Sequence, residues 1–457
     1  MTSWLLLAIW AGACLLLIGH GLRRKAGVLQ FPFLAGAAIA GWLLPQAVHV
    51  LRNPDGLPEG GLIKALVMGL LCTTALYVGW GTRSPRRRIH SVRRLAHPRS
   101  SYRIGLLLLA IGLWGYYKLT SLTGGVLEFY SVNGAYALEW RGLPVAYTFF
   151  AAYLLPGYVI TLTAALKLGS LVRAVPAGVP LAVNVLTIIF LGRRGVLVGF
   201  LLSTACVLYF TKHWLPPRSF VIALLLPVSL FMIVAPYYRA YSQIGADHSR
   251  IAQLDLSSQL SGNYGIEFRT MVHLTETADS QRLFQYGIGC YNALIALFVP
   301  KLLVGADQKE RLFLPVPSPR DQSEYARPVL MQGGVPTGPF SAFEQFWYFG
   351  AAWYYLLARA MRSLWERALR GDEWAQTSYA ASLMYVVGAV VNDLHTAWVP
   401  AVQFVLPLAI VYRLLSSSKR TMAKWSPVSP NITAPVAPLL QHRASRVIIP
   451  LGPSWNQ

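Results

Sequence analysis

Three acid or imidazole side chains in this sequence have the type and spacing for proton transfer. His273 and Glu276, in His273-Leu-Thr-Glu276, stand three residues apart, so a helix would bring them to one face as a base and its orienting partner. An exposed pair at this spacing is equally an ordinary, weak surface contact. Glu344 closes the stretch Gly333-Gly-Val-Pro-Thr-Gly-Pro-Phe-Ser-Ala-Phe-Glu344, which runs on into Trp347-Tyr-Phe-Gly350. At the mouth of an apolar helix such a carboxylate is partly desolvated and can act as an acid, a base or an arginine partner. It can also simply complement the dipole of a helix N-terminus. Arg193 and Arg194 lie between Gly192 and Gly195, where one apolar run ends and another begins. Two adjacent guanidiniums there can grip a phosphate or pyrophosphate bidentately; the alternative is a turn whose arginines snorkel to lipid headgroups.

Other chemistries have no residues to carry them. The chain shows no Walker loop, no dinucleotide fingerprint, no HExxH and no GxSxG. It also lacks an Asp-x-Asp pair that would hold a divalent ion against a nucleotide sugar. Neither a metal nor a cofactor is expected. Cys14, Cys72 and Cys206 fall in apolar runs and Cys290 stands alone, so no disulfide framework or CxxC motif is present.

The elements that must position these side chains are membrane helices. Of the 457 residues 55% are apolar and 13% charged, and the mean hydropathy is +0.46, which is too apolar for a soluble globule. Run after run reaches the ~20 residues that a helical crossing needs, rather than the alternating ~10-residue strands of a barrel. The net charge of +22 would suggest nucleic acid on a soluble domain. Here the Lys and Arg cluster between apolar runs, as they do in cytoplasmic loops, and no nucleic-acid module is visible. Arg83, Arg86, Arg87, Arg88, Arg93, Arg94, Arg99 and Arg103, with no acid among them, mark one loop as cytoplasmic.

The expected fold is therefore an all-α polytopic membrane protein with about eleven crossings. It begins outside, and its helices fill residues 1–236 and 343–415. Residues 237–342 form one large extracytoplasmic loop, which holds nine of the 18 carboxylates. Within it, 286–303 is apolar but short, an interfacial or re-entrant segment rather than a crossing. A short turn late in the chain carries Asp393 and His395. The tail, 416–457, rich in Pro, Ser and basic residues, reads as disordered and cytoplasmic.

These residues resemble a family. The late extracytoplasmic loop, the Arg-Gly turn, Tyr286-Gly followed by Val299-Pro-Lys301, and the piece Gly333-Gly334, Pro336, Glu344, Phe349-Gly350 are similar to bacterial O-antigen or oligosaccharide repeat-unit polymerases. Lys301 stands where the family pattern has arginine, and the resemblance covers about residues 179–350. It implies a fold like that of the membrane glycosyltransferases that use lipid-linked donors (GT-C-like). It implies transfer of a growing glycan from undecaprenyl pyrophosphate onto a new lipid-linked repeat, at the outer face of the bacterial inner membrane. Arg193, Arg194, Arg239, Arg269 and Lys301 would then hold pyrophosphate or glycan, and His273, Glu276 or Glu344 would deprotonate the acceptor hydroxyl. Implied partners are the undecaprenyl-pyrophosphate-linked oligosaccharide, membrane lipids, and the flippase and chain-length regulator proteins of such a pathway. Two other readings stay open: an O-antigen ligase, which shares donor and architecture and leans on a loop histidine such as His248 or His273, and a glycan transporter without chemistry.

Overall fold

A computed structural model describes residues 1–24, 26–54, 56–82, 98–122, 124–125, 129, 143–191, 194–215, 217, 265–299, 301–331, 336–397, 401–410 and 412–413. The basic loop from Arg83 to Arg94, Arg193, Arg239, His248, Gly333-Gly334 and the tail lie outside the described residues. Of Arg194 only the backbone is described, as the first residue of a helix. Among the described residues all regular structure is helical.

Five helices are long and apolar enough to cross a membrane: Thr2–Leu22 (α1), Phe31–Arg52 (α2), Glu59–Gly81 (α3), Pro98–Ser121 (α4) and Ala146–Lys167 (α5). They cover the first five expected crossings. Two neighbours in the bundle are Val175–Leu191 (α6) and Arg194–Lys212 (α7). Because lipid is as apolar as leucine, such helices adhere where small residues let them approach. Gly105, Gly112 and Gly115 of α4 form that kind of stripe, each lying so close to α5 that a β-carbon would collide with its backbone at Thr161, Leu154 or Ala151. The Trp10 ring of α1 lies over Gly69 of α3, and its indole donates to Thr73 Oγ1 at 2.9 Å.

Beyond residue 264 the chain forms Ile266–Ser280 (α8), Ile288–Phe298 (α9) and a set of short turns that includes Pro319–Gln322. It continues through Gly338–Phe346 (α10), Ala351–Leu369 (α11) and Glu373–Val391 (α12). The apolar run expected to begin a crossing at Phe343 is thus broken. Helix α10 stops at Trp347, whose backbone turns left-handed (φ 53°), before α11 begins. Glu344 consequently belongs to a separate nine-residue helix outside the candidate crossings. The segment expected at 286–303 contains α9, at 11 residues too short to cross.

Helix α12 ties the late helices to the early bundle. Tyr379 Oη donates to Leu29 O at 2.8 Å, Ser203 Oγ of α7 donates to Ala380 O at 2.8 Å, and Lys167 at the end of α5 meets Glu373 at 2.6 Å.

Candidate functional site

The candidate site forms where three distant segments meet over α10. Thr337 starts this helix, its hydroxyl accepting from Phe340 N–H at 3.4 Å, and Pro339 sits in its first turn, where a missing N–H costs nothing. Every residue from Gly338 to Gln345 is buried, and Glu344 has no exposed surface. Close packing needs glycine at both ends of the piece. A β-carbon on Gly338 would strike Ala389 O, and one on Gly350 would strike Ala342 O.

A charged side chain is buried only with partners. Glu344 finds them in Arg320 and Gln285. Arg320 lies in the turn Pro319–Gln322, which Ser318 caps by accepting from Arg320 N–H at 3.2 Å. Its guanidinium donates to Glu344 Oε2 from Nη2 (2.7 Å) and from Nε (3.2 Å), and to Asp393 Oδ2 from Nη1 (3.4 Å). Gln285 Nε2 donates to Glu344 Oε1 at 2.6 Å, while Gln345 Nε2 donates to Gln285 Oε1 at 2.7 Å. The backbone follows the same path. Gln285 N–H and Tyr286 N–H donate to the carbonyls of Glu344 and Gln345 at 2.9 and 2.8 Å.

Asp393 begins the turn after α12. Its Oδ1 accepts from Ser341 Oγ (2.9 Å), from His395 N–H (3.2 Å) and from His395 Nδ1 (2.7 Å). This is an aspartate turn reinforced by an ion pair. Burial opposes the charge on Asp393, but His395 and Arg320 outweigh it and hold the carboxyl well below the usual range. For His395 burial favours the neutral ring, yet the bond to Asp393, helped by the neighbouring Cys290 thiol, raises it to about 10. Burial pushes Glu344 above the usual carboxylate range, and Arg320 only partly offsets this. The network therefore combines a bridging cation, a proton-holding imidazolium, a carboxylate fixed in its ionised form and a second whose proton affinity is elevated. Pairs of titrating groups with opposite shifts are a mark of functional sites as well as of structural ion networks.

The other expected side chains lie elsewhere. His273 and Glu276 share α8 but do not form the expected pair. His273 stacks on Tyr325, with ring centroids 4.2 Å apart, and Glu276 bonds Lys64 of α3 at 3.1 Å, alongside Asp279 at 2.6 Å. Lys64, within a span, needs those carboxylates more than the histidine does. Arg269 donates to Asn53 O at 2.9 Å, fastening α8 to the end of α2. Lys301 sits 3.7 Å from Glu310, which is 69% exposed. Among the described residues, Glu344 alone of the expected site residues enters the network. Arg320 and Gln285 were not singled out by the sequence, and the Asp393/His395 pair was noticed only as a turn. Among the described residues no group of three or more His, Cys, Asp or Glu is arranged to hold a metal ion.

No family model matches the chain, and neither the curated proteins nor the solved structures contain a match to it.

Proposed function

We propose that the chain is a membrane glycosyltransferase that polymerises undecaprenyl-pyrophosphate-linked oligosaccharide repeat units at the outer face of a bacterial plasma membrane, for O-antigen, capsule or exopolysaccharide. The observation that carries this reading is a convergence. The two segments that resemble the polymerase pattern, around Tyr286-Gly287 and around Glu344 to Gly350, are hydrogen-bonded to each other, and both bond to Glu344 or carry it within a part-buried arginine–carboxylate network.

In this reading the work divides by exposure. Arg320 keeps 26% of its side chain exposed and covers Glu344, which has none. A pyrophosphate that draws the guanidinium outward gains a charge-assisted bidentate contact in the departing group, where negative charge develops. The same movement uncovers Glu344, whose elevated proton affinity suits it to take the acceptor hydroxyl proton. Asp393 and His395 are positioning residues that hold Arg320 from its other side. Glu276 is engaged by Lys64, and His273 stacks on Tyr325 outside the network, so this reading takes Glu344 as the base.

Glycan length profiling of a strain carrying only Glu344→Gln or Arg320→Met protein, beside a deletion strain, tests this. Single-repeat lipid-linked glycan without polymer supports a polymerase. Polymer of normal length stranded on the carrier lipid replaces it with a ligase. Repeats trapped in the inner leaflet sink both and leave a transporter.

A further inference from the structure

Beside the network lies a cavity of about 390 Å³ lined by Phe284, Tyr286, Phe346, Trp347 and Phe349. Among the described residues no charged side chain lines it. Three of the five rings are uncovered, Tyr286 at 70%, Trp347 at 44% and Phe349 at 80% exposure. Aromatic side chains in a chain of this composition have an ordinary explanation as a belt at the membrane surface. A belt, however, needs no unusual backbone. Tyr286 and Trp347 both have left-handed φ values, 48° and 53°, where bulky residues are genuine outliers. Such outliers persist where the surroundings over-determine them, and they cluster at ligand clamps. Here the surroundings are the Tyr286-to-Gln345 backbone bond, which joins the cavity wall to the network, and Gly287, whose open face meets the Phe346 ring.

The depth of the cavity identifies its occupant. The turn Trp347–Gly350 packs against α3, and Tyr348 lies in the field of Lys64 and Asp279. Lys64 is five residues into α3, which is about 7.5 Å along its axis. The cavity thus lies alongside a candidate crossing, at the depth of the membrane. A phosphate would meet no charged partner among these five residues, whereas a hydrocarbon chain finds apolar rings on every side.

We propose that this cavity takes the prenyl chain of the carrier lipid, an inference that rests on the function proposed above. The chain would lie among the five rings, and the backbone pairing between Gln285-Tyr286 and Glu344-Gln345 would separate it from the charged network.

The test uses the full-length protein in phospholipid nanodiscs, photolabelled with polyprenyl phosphate carrying a diazirine in the chain. The adducts are expected on the peptides containing residues 284–286 and 346–349. Unlabelled polyprenyl phosphate should displace them, and excess phosphatidylglycerol should not. Labelling should fall at least fivefold in Tyr286→Ala/Phe349→Ala. Labelling elsewhere, indifference to both substitutions, or equal labelling by a diazirine phospholipid, which marks a plain aromatic belt, overturns the proposal. Should the variant fail to fold, the competition on the unsubstituted protein decides alone. The two readings fail separately. Normal dependence of polymer on the protein without labelling at the cavity removes the prenyl assignment. Labelling at the cavity with full polymer in the deletion strain removes the polymerase.

Discussion

Arg320→Met removes the cation that neutralises Glu344 while keeping a long apolar stem in its place. Breaking a buried ion pair from one side costs about 3–5 kcal/mol when the orphaned charge must remain. Glu344 has a cheaper route, because it can take up a proton. At pH 7 protonating a carboxyl with an ordinary value near 4.3 costs about 1.36 × 2.7, or about 3.7 kcal/mol, which is a ceiling on the charge penalty. The ceiling falls with pH, to about 1.6 kcal/mol at pH 5.5. Asp393 keeps His395 and Ser341 and is not orphaned. The loss should therefore belong to Glu344 alone, and Glu344→Gln in the same chain should restore most of it, since Gln285 can rotate its amide to suit. Equilibrium unfolding in mixed micelles, followed by tryptophan fluorescence, can measure the single and double variants at both pH values. The expected pattern is a penalty at pH 7 that shrinks at pH 5.5, by at most about 2 kcal/mol, and is mostly absent from the double variant. A penalty of the same size at both pH values, or no rescue by Glu344→Gln, refutes the account of a buried carboxylate held charged by Arg320.

Two more outcomes follow from the same geometry. Gly350→Ala drives a β-carbon into the Ala342 carbonyl, and backbone cannot swing aside as a side chain can. A loss of about 1–3 kcal/mol is expected in the same unfolding measurement, and an unchanged midpoint would show that the turn after α10 is looser than described. Stability should also fall at both ends of the pH scale. His395 is raised in the folded protein, so its contribution is whole below about 6.5 and is lost as pH climbs toward about 10. The slope of that loss is at most about 1.4 kcal/mol per pH unit, and Glu344, also raised, acts with the same sign from the ordinary carboxylate value upward. Asp393 is lowered, so its contribution is present above the ordinary aspartate value and is lost as pH falls below it. His395→Gln should flatten the alkaline limb; a limb that persists in that variant assigns it to other groups.

How far the sequence reached depended on whether a feature is local. The first five crossings could be placed because each is a property of one continuous stretch, and hydropathy is additive along it. Glu344 was also visible, as the single acid in a glycine-, proline- and aromatic-rich piece. The contacts of His273 and Glu276 were hidden for the opposite reason. Spacing along α8 is local, but the partner of each residue is not. Lys64, 212 positions from Glu276, takes the carboxylate, and Tyr325 supplies a ring for the imidazole. Arg320 had no local mark at all. It sits in a proline-broken segment without periodicity, and its partners are 24 and 73 residues distant.

A different question put to the sequence would have found it. Glu344 and Asp393 each stand beside an apolar run, and a carboxylate carried into low dielectric requires a cation. Arg269 is spent on the Asn53 carbonyl and Lys64 on Glu276 and Asp279, so neither supplies it. The arginine that two such acids share need not lie near either in sequence. It needs only a short, capped turn that can be laid across both, and Ser318-Pro319-Arg320 is that turn. The conflict between what α10 buries and what Glu344 needs is thus resolved by a residue outside the helix. That dependence makes Arg320, rather than the glutamate it neutralises, the side chain on which the arrangement turns.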